Sequence, residues 1–320
     1  MRNVKYLVFI FALFIHSFCI AAGYPERSVR VVIPFPPGGG TDGLARILTP
    51  KISNALGQQF IVDNRPGAGG NISTEIVASA PPDGYTLLMT ISTALTVNPL
   101  LYANLNFDVN RDLKPITQIA AAQYILVLHP SIPASNVKEL IALAKARPGK
   151  LNYASGGIGN IQHFASEQLI AKTGVKITHI PYKGGGPAAV AVLSGEADMI
   201  FGSVASSVPQ ITAGKLKAIA VTGSKRMPML SNIPTLIESG VPIEIRTWYA
   251  ILAPSQTADA IVNLVGKETK SALMQTDIKN AVEKLGLEIT TSSPQSLTEL
   301  IRLEMKENVR IIKSAGIKSE

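Results

Sequence analysis

Ile33 to Arg46 reads I-P-F-P-P-G-G-G-T-D-G-L-A-R. A short apolar run, Val29 to Ile33, precedes it, and apolar residues at helical spacing follow: Leu44, Ile47, Leu48, Ile52, Ala55 and Leu56. Strand, glycine-rich turn and helix start aim several backbone N–H groups at one point, where the helix carries roughly half a positive charge. Such a turn suits an anion. Thr41 or Asp42 is expected to cap the helix, and Pro50 to kink it or end it early. A tight βα turn without a ligand reads equally well from these residues alone. No Lys-Ser or Lys-Thr follows the glycines, so this is not a Walker loop. Gly38, Gly40 and Gly43 fit G-x-G-x-x-G, with Asp63 at the end of F-I-V-D-N. That dinucleotide match is weak, because N-R-P-G-A-G-G follows Asp63 at once.

The 320 residues suffice for two domains, and 46% apolar with 16% charged residues excludes disorder. Arg2 and Lys5, an apolar run from Tyr6 to Phe14 and small residues at Ala21 to Gly23 read as a signal peptide cleaved near Ala22. Cleavage removes Cys19, the sole cysteine, and with it any disulfide or thiol chemistry. The mature chain keeps 28 basic against 22 acidic residues, a net charge of +6 that favours acidic ligands. No basic run is interleaved with aromatics, so nucleic acid is not expected as a partner.

Strands and helices alternate along the chain, which predicts an α/β fold with parallel sheets and ligand sites beyond the strand ends. Phe60 to Asn64 and Tyr85 to Thr90 read as strands, with a helix over Ile72 to Ala80 capped by Asn71 between them. Tyr124 to Leu128 is an apolar strand and marks the first crossing into a second domain. There the pattern restarts. Val137 to Ala146 reads as a helix, and strands run into S-G-G-I-G-N-I-Q-H-F and P-Y-K-G-G-G-P. Trp248 to Ala253 reads as the returning strand, with a mostly helical tail behind it. Residues 1–23 are thus signal peptide, 24–125 the first part of lobe 1, 126–246 lobe 2, and 247–320 the rest of lobe 1. Two such lobes with facing anion-binding turns and two crossovers describe a clamshell around a small ligand.

Seven segments in order carry a family resemblance: Y-P-E-R-S-V-R-V-V-I-P-F-P-P-G-G-G-T-D, V-D-N-R-P-G-A-G-G-N, A-P-P-D-G-Y-T-L-L, N-Y-A-S-G-G-I-G-N-I-Q-H-F, H-I-P-Y-K-G-G-G-P-A, G-K-L-K-A-I-A-V-T-G and I-P-T-L-I-E-S-G-V-P. Over nearly the whole mature chain the sequence resembles the Bug family, the extracytoplasmic receptors of tripartite tricarboxylate transporters. The resemblance implies a two-lobed, type II-like periplasmic binding protein and no catalysis or cofactor. Its ligand is a carboxylate: a di- or tricarboxylate, an acidic amino acid or an aromatic acid. Its partners are integral membrane transporter subunits. It also implies that Gly38, Gly39, Gly40, Thr41, Asp42 and Ser92 of lobe 1 bind ligand together with Ser155, Gly156, Gly159, Asn160, His163, Lys183 and Ser203 of lobe 2, through backbone amides and water rather than an arginine clamp. The chain departs from the family pattern at Gly202, where Asp is common, at Asn160, where Ser or Thr is usual, and at Ser73, where Gly is usual.

A secreted α/β hydrolase is the alternative. It lacks G-x-S-x-G, and Ser155, His163 and Asp198 make a poor triad because His163 is only a helix turn or two from Ser155. The three mature histidines are far apart in sequence with no metal-binding spacing. Trp248 is expected at the hinge or cleft edge, and His129 and His179 in structural roles.

Overall fold

A computed structural model describes residues 23–317; residues 1–22 of the expected signal peptide lie outside them. The chain runs β1 (Val29–Ile33), α1 (Gly40–Leu56), β2 (Phe60–Asn64), α2 (Asn71–Ala78), β3 (Thr86–Ile91), α3 (Ser92–Thr96), α4 (Asn98–Leu101), α5 (Val109–Asp112) and β4 (Leu113–Leu128). It continues with α6 (Val137–Ala146), β5 (Asn152–Ser155), α7 (Ile161–Thr173), β6 (Thr178–Pro181), α8 (Gly185–Leu193), β7 (Met199–Ser203), α9 (Val204–Thr212) and β8 (Lys217–Val221). The last segment is β9 (Arg246–Pro254), α10 (Asp259–Leu273), α11 (Thr276–Lys284), β10 (Leu287–Ile289) and α12 (Pro294–Ala315).

The strand order is β2-β1-β3-β9-β4-β7-β5-β6, with β8 and β10 also on β4. Within each half the βα units pair in parallel, as the alternation predicted: β1 with β2 and β3, and β5 with β6 and β7. The crossovers do not. β9 is antiparallel to β3 and β4, and β4 is antiparallel to β7 and β8. A strand that leaves one half and another that returns must run oppositely, so the sheets are mixed.

β4 is the common member. Leu113 to Gln123 pairs with β9, whereas Tyr124 to Leu128 pairs with β7. At the switch, Thr222 binds both crossovers. Its Oγ1 accepts from the Tyr124 N–H (2.8 Å) and donates to the Ile245 carbonyl (2.7 Å), and its N–H donates to the Tyr124 carbonyl (3.0 Å).

Several local expectations change. α1 continues through Pro50 to Leu56 and closes on Gly57 in the left-handed conformation. Pro50 and Arg46 are exposed, so water can take the carbonyl left without a partner. Neither Thr41 nor Asp42 is the cap. Gly39 holds that place, and Asp42 reaches back from the first turn to the Gly38 N–H (3.0 Å). Asn71 lies inside α2 and accepts from Asn98 Nδ2 (2.7 Å), leaving the cap to Gly70. Trp248 packs in the core with Leu95, Leu252 and Leu297, its indole N–H donating to Glu304 (2.7 Å), rather than at the cleft edge.

Thr222→Val should orphan a buried Tyr124 N–H, a loss of about 2 kcal/mol. Urea unfolding should show a lower midpoint with an unchanged slope.

Candidate binding site

The turn after β1 places Gly38 at φ +93°, a conformation that glycine tolerates, and the backbone then enters α1. The first N–H groups of α1 have no intrahelical acceptor. Facing them are three helix starts from the other half. α7 begins after Asn160, whose side chain accepts from the Gln162 N–H (3.0 Å). α8 begins after Gly184 with no side-chain cap. α9 begins after Ser203, whose hydroxyl lies 2.8 Å from that of Ser206.

These four starts surround one cavity of about 60 Å³. That is room for roughly four to six waters, hence for a small molecule only. Gly39, Gly40 and Thr41 line it from α1, Asn160 and Gln162 from α7, Gly185 and Gly186 from α8, and Ser203 and Ser206 from α9. Phe35, Pro36, Ile91 and Ile161 supply apolar wall. None of the sixteen lining residues is charged.

Two tyrosines complete the wall: Tyr124 at the switch point of β4, and Tyr249 on β9. They are 5% and 3% exposed. Burial pushes the Tyr249 hydroxyl up to about 12 against a smaller opposing effect of Tyr124, and pushes Tyr124 well above its ordinary range. Both therefore stay protonated. A Cβ built on Gly40 would stand 3.0 Å from the Tyr249 hydroxyl, so a side chain there would crowd the cavity.

Of the expected residues, Gly38, Gly39, Gly40, Thr41, Asn160 and Ser203 meet in this cavity. The others sit elsewhere. Asp42 is turned into the protein, where its carboxylate binds Gly38, Arg46 and Asn64. Burial raises its pKa, but the bonds from Arg46, Asn64 and Gly38 outweigh that and hold it below the usual carboxylate range. Ser92 is bonded to Thr247 (2.8 Å) beside a separate polar cavity. Lys183 and Gly156 line another cavity, of about 240 Å³, on the far side of Gly184. The Gly156 N–H is taken by Gln162 Oε1 (2.7 Å) and that of Gly159 by His163 Nδ1 (3.3 Å). Gly202 does not line the cavity. A Cβ there would collide with Ser207, so its missing side chain is a packing requirement.

Folding brings together histidines that are distant in sequence. The rings of His163 and His179 lie 4.6 Å apart, and Tyr153 stacks on His179 at 4.7 Å. Ser155 Oγ is 2.6 Å from His179 Nε2, but Ser155 is fully buried, which denies a substrate access to it. This network braces the turn before α7. Burial lowers both imidazoles to about 4, with His179 adding to the effect on His163. Among the described residues no cluster of His, Cys, Asp or Glu is placed to hold a metal ion.

Two α/β halves, joined by β4 and β9 and gripping a small cavity at their seam, define a two-lobed periplasmic binding protein. The solved periplasmic binding protein BugD is 33% identical, with 93% of this chain and 100% of that one covered and a TM-score of 0.89. R. palustris Rpa4515 with adipate is 34% identical, with 93% and 100% covered and a TM-score of 0.89. MatC from Rhodopseudomonas palustris with bound malate is 28% identical, with 90% and 100% covered and a TM-score of 0.86. Residues 44–317 match the family described as the tripartite tricarboxylate transporter family receptor, TctC. The chain belongs to this family of receptors; it is not an enzyme.

The two imidazoles are neutral when folded, and the unfolded chain protonates first as pH falls through about 6.5. Stability should therefore decline from about pH 6.5 down to about 4, then lose nothing further from this pair. Urea midpoints across that range check this, and His163→Gln or His179→Gln should each flatten the decline.

Proposed function

We propose that the mature protein is exported to the periplasm, binds a small dicarboxylate between its lobes and presents it to integral membrane transporter subunits. One observation carries the ligand class: four helix N-termini and two protonated tyrosines meet in a cavity that no charged side chain lines. First-turn N–H groups left without an acceptor, and hydroxyls, are donors, and a carboxylate is an acceptor that needs several of them. The small volume favours a short acid. Adipate and malate in Rpa4515 and MatC are acids of this kind. Export rests on the sequence of residues 1–23, and the lobe division at 24–125, 126–246 and 247–320 on the two crossings.

The site accounts for an anion bound by oriented amides rather than by an ion pair. Ordered water completes the shell where the amides do not reach, at little loss in enthalpy. The hydrolase alternative has no accessible nucleophile in this cavity: Ser155 lies outside it, and Ser203 has Ser206 rather than a base beside it.

Thermal shift with malate, adipate, citrate, aspartate and benzoate tests the reading. A true ligand at 100 times its dissociation constant should stabilise the fold by about 2.7 kcal/mol. Gly40→Val should abolish that shift by forcing a branched side chain against Tyr249, while the ligand-free protein stays folded. Lys183→Ala, outside the cavity, should lower affinity less than tenfold. Loss of binding in Lys183→Ala with retention in Gly40→Val would replace the amide site with an ion-pair site.

A further inference from the structure

The lobe 2 side of the cavity wall holds two primary amides, Asn160 and Gln162. They stand two residues apart at the start of α7 and are 3% and 5% exposed. A backbone donor fixes the oxygen of each. Asn160 Oδ1 accepts from the Gln162 N–H (3.0 Å), and Gln162 Oε1 accepts from the Gly156 N–H (2.7 Å). Only the oxygen of a side-chain amide can meet an N–H, so these bonds settle which end of each group is which. Turning either amide over would set its NH2 against a backbone donor.

Both NH2 groups are therefore directed away from the turn that their oxygens hold. Neither has a hydrogen-bond partner among the described residues. Neither is among the fully enclosed polar atoms left without one, so each nitrogen keeps an open face inside an otherwise buried residue. The cavity is the space that both residues line. The nitrogens also lie beside the start of α8. A Cβ on Gly185 would stand 2.9 Å from Gln162 Nε2, and a Cβ on Gly156 would stand 3.1 Å from Asn160 Nδ2 and 2.9 Å from the Gly185 nitrogen. The Gly185 N–H, first in α8, has no intrahelical acceptor. Three unmet donors thus share one corner of the cavity.

Resting on the carboxylate reading above, we propose that Gln162 contacts the ligand directly: its Nε2, with Asn160 Nδ2, donates to the ligand carboxylate while its oxygen holds the Gly156 turn. A carboxylate has enough lone pairs to accept from both amides and from Gly185 at once. Because both side-chain oxygens are engaged, neither amide can turn to offer an acceptor. This corner therefore selects a group that only accepts, and refuses an ammonium or an amide N–H. Neutral amides supply these directed bonds without the desolvation penalty of a lysine or arginine.

Calorimetry with malate and adipate, paired with urea unfolding of the mature protein, tests this. Asn160→Ser keeps a helix cap but has no NH2, and Gln162→Met keeps the length of the side chain without its donor. Each should weaken both acids by about 10- to 100-fold, the range for a lost hydrogen bond to a charged group. His163→Leu is the structural control. It orphans the Gly159 N–H of the same turn but removes nothing from the cavity wall, and should weaken binding by only a few fold. Gln162→Glu keeps the bond to Gly156 and turns the donor into an acceptor. It should unfold at a higher urea midpoint than Gln162→Met and yet bind more weakly. Wild-type affinity in Asn160→Ser, Gln162→Met or Gln162→Glu overturns the proposal. So does a loss in His163→Leu as large as that in Gln162→Met, which would reduce Gln162 to a support for the turn. Those results leave the carboxylate reading standing. A wild-type protein that binds no acid of the wider panel overturns both.

Discussion

One strand serves two sheets. β4 spends its first eleven residues against β9 and its last five against β7, and Thr222 fastens the point where it changes partner. Backbone groups at such a switch must be paired, because an orphaned buried N–H costs 1–3 kcal/mol. Thr222 supplies three of those bonds from a single residue. The position of the site follows from this. Strand ends of both halves approach the switch, so the helices that follow them start there. Tyr124, the residue at the change of partner, faces the space those helix starts enclose.

On the proposed reading the site meets a negative charge without placing a positive side chain in it. A lysine or arginine in a cavity this small would bring its own desolvation penalty. Helix starts carry their partial charge on backbone that is already fixed, so ordering them on binding costs little. The protein adds rigidity to that arrangement through side chains in and around the cavity wall. Asp42 holds Gly38 while bonded to Arg46, and Gln162 and His163 hold the amides of Gly156 and Gly159. Asp42 and His163, both expected to touch ligand, thus hold backbone amides of turns at or beside the cavity.

Sequence revealed what is local. β1, β2 and α6 fall where apolar runs and turn residues put them, at Val29–Ile33, Phe60–Asn64 and Val137–Ala146. The first anion turn was legible for the same reason, since strand, glycines and helix are contiguous. β4 was legible only over its last five residues. Its earlier part carries Lys114, Pro115, Thr117 and Gln118, and its register slips between Pro115 and Thr117 and again between Gln118 and Ala120. α9 was hidden by its serines and Pro209. The tyrosine pair was out of reach of pattern reading, because nothing local links Tyr124 to Tyr249. Their one signal was position, each lying on a strand already read as a crossing.

The glycines show how one residue type can serve two purposes in a single cleft. Gly40 lines the cavity, where its lack of a side chain leaves room beside Tyr249. Gly184 does something else. A Cβ on it would stand 2.6 Å from Pro36, so its absence lets the lobe 2 turn close onto the lobe 1 turn. At the neighbouring rim the Tyr102 hydroxyl donates to the Ile158 carbonyl across the lobes (3.0 Å). Phe164 of α7 packs there with Val97 and Leu101 of lobe 1. Glycine-rich turns in such a chain therefore cannot all be read as ligand-approach loops. Some shape the cavity, and others, such as Gly184, let one lobe's backbone meet the Pro36 ring of the other. A side chain at Gly184 would weaken binding without touching the ligand, by holding the lobes apart.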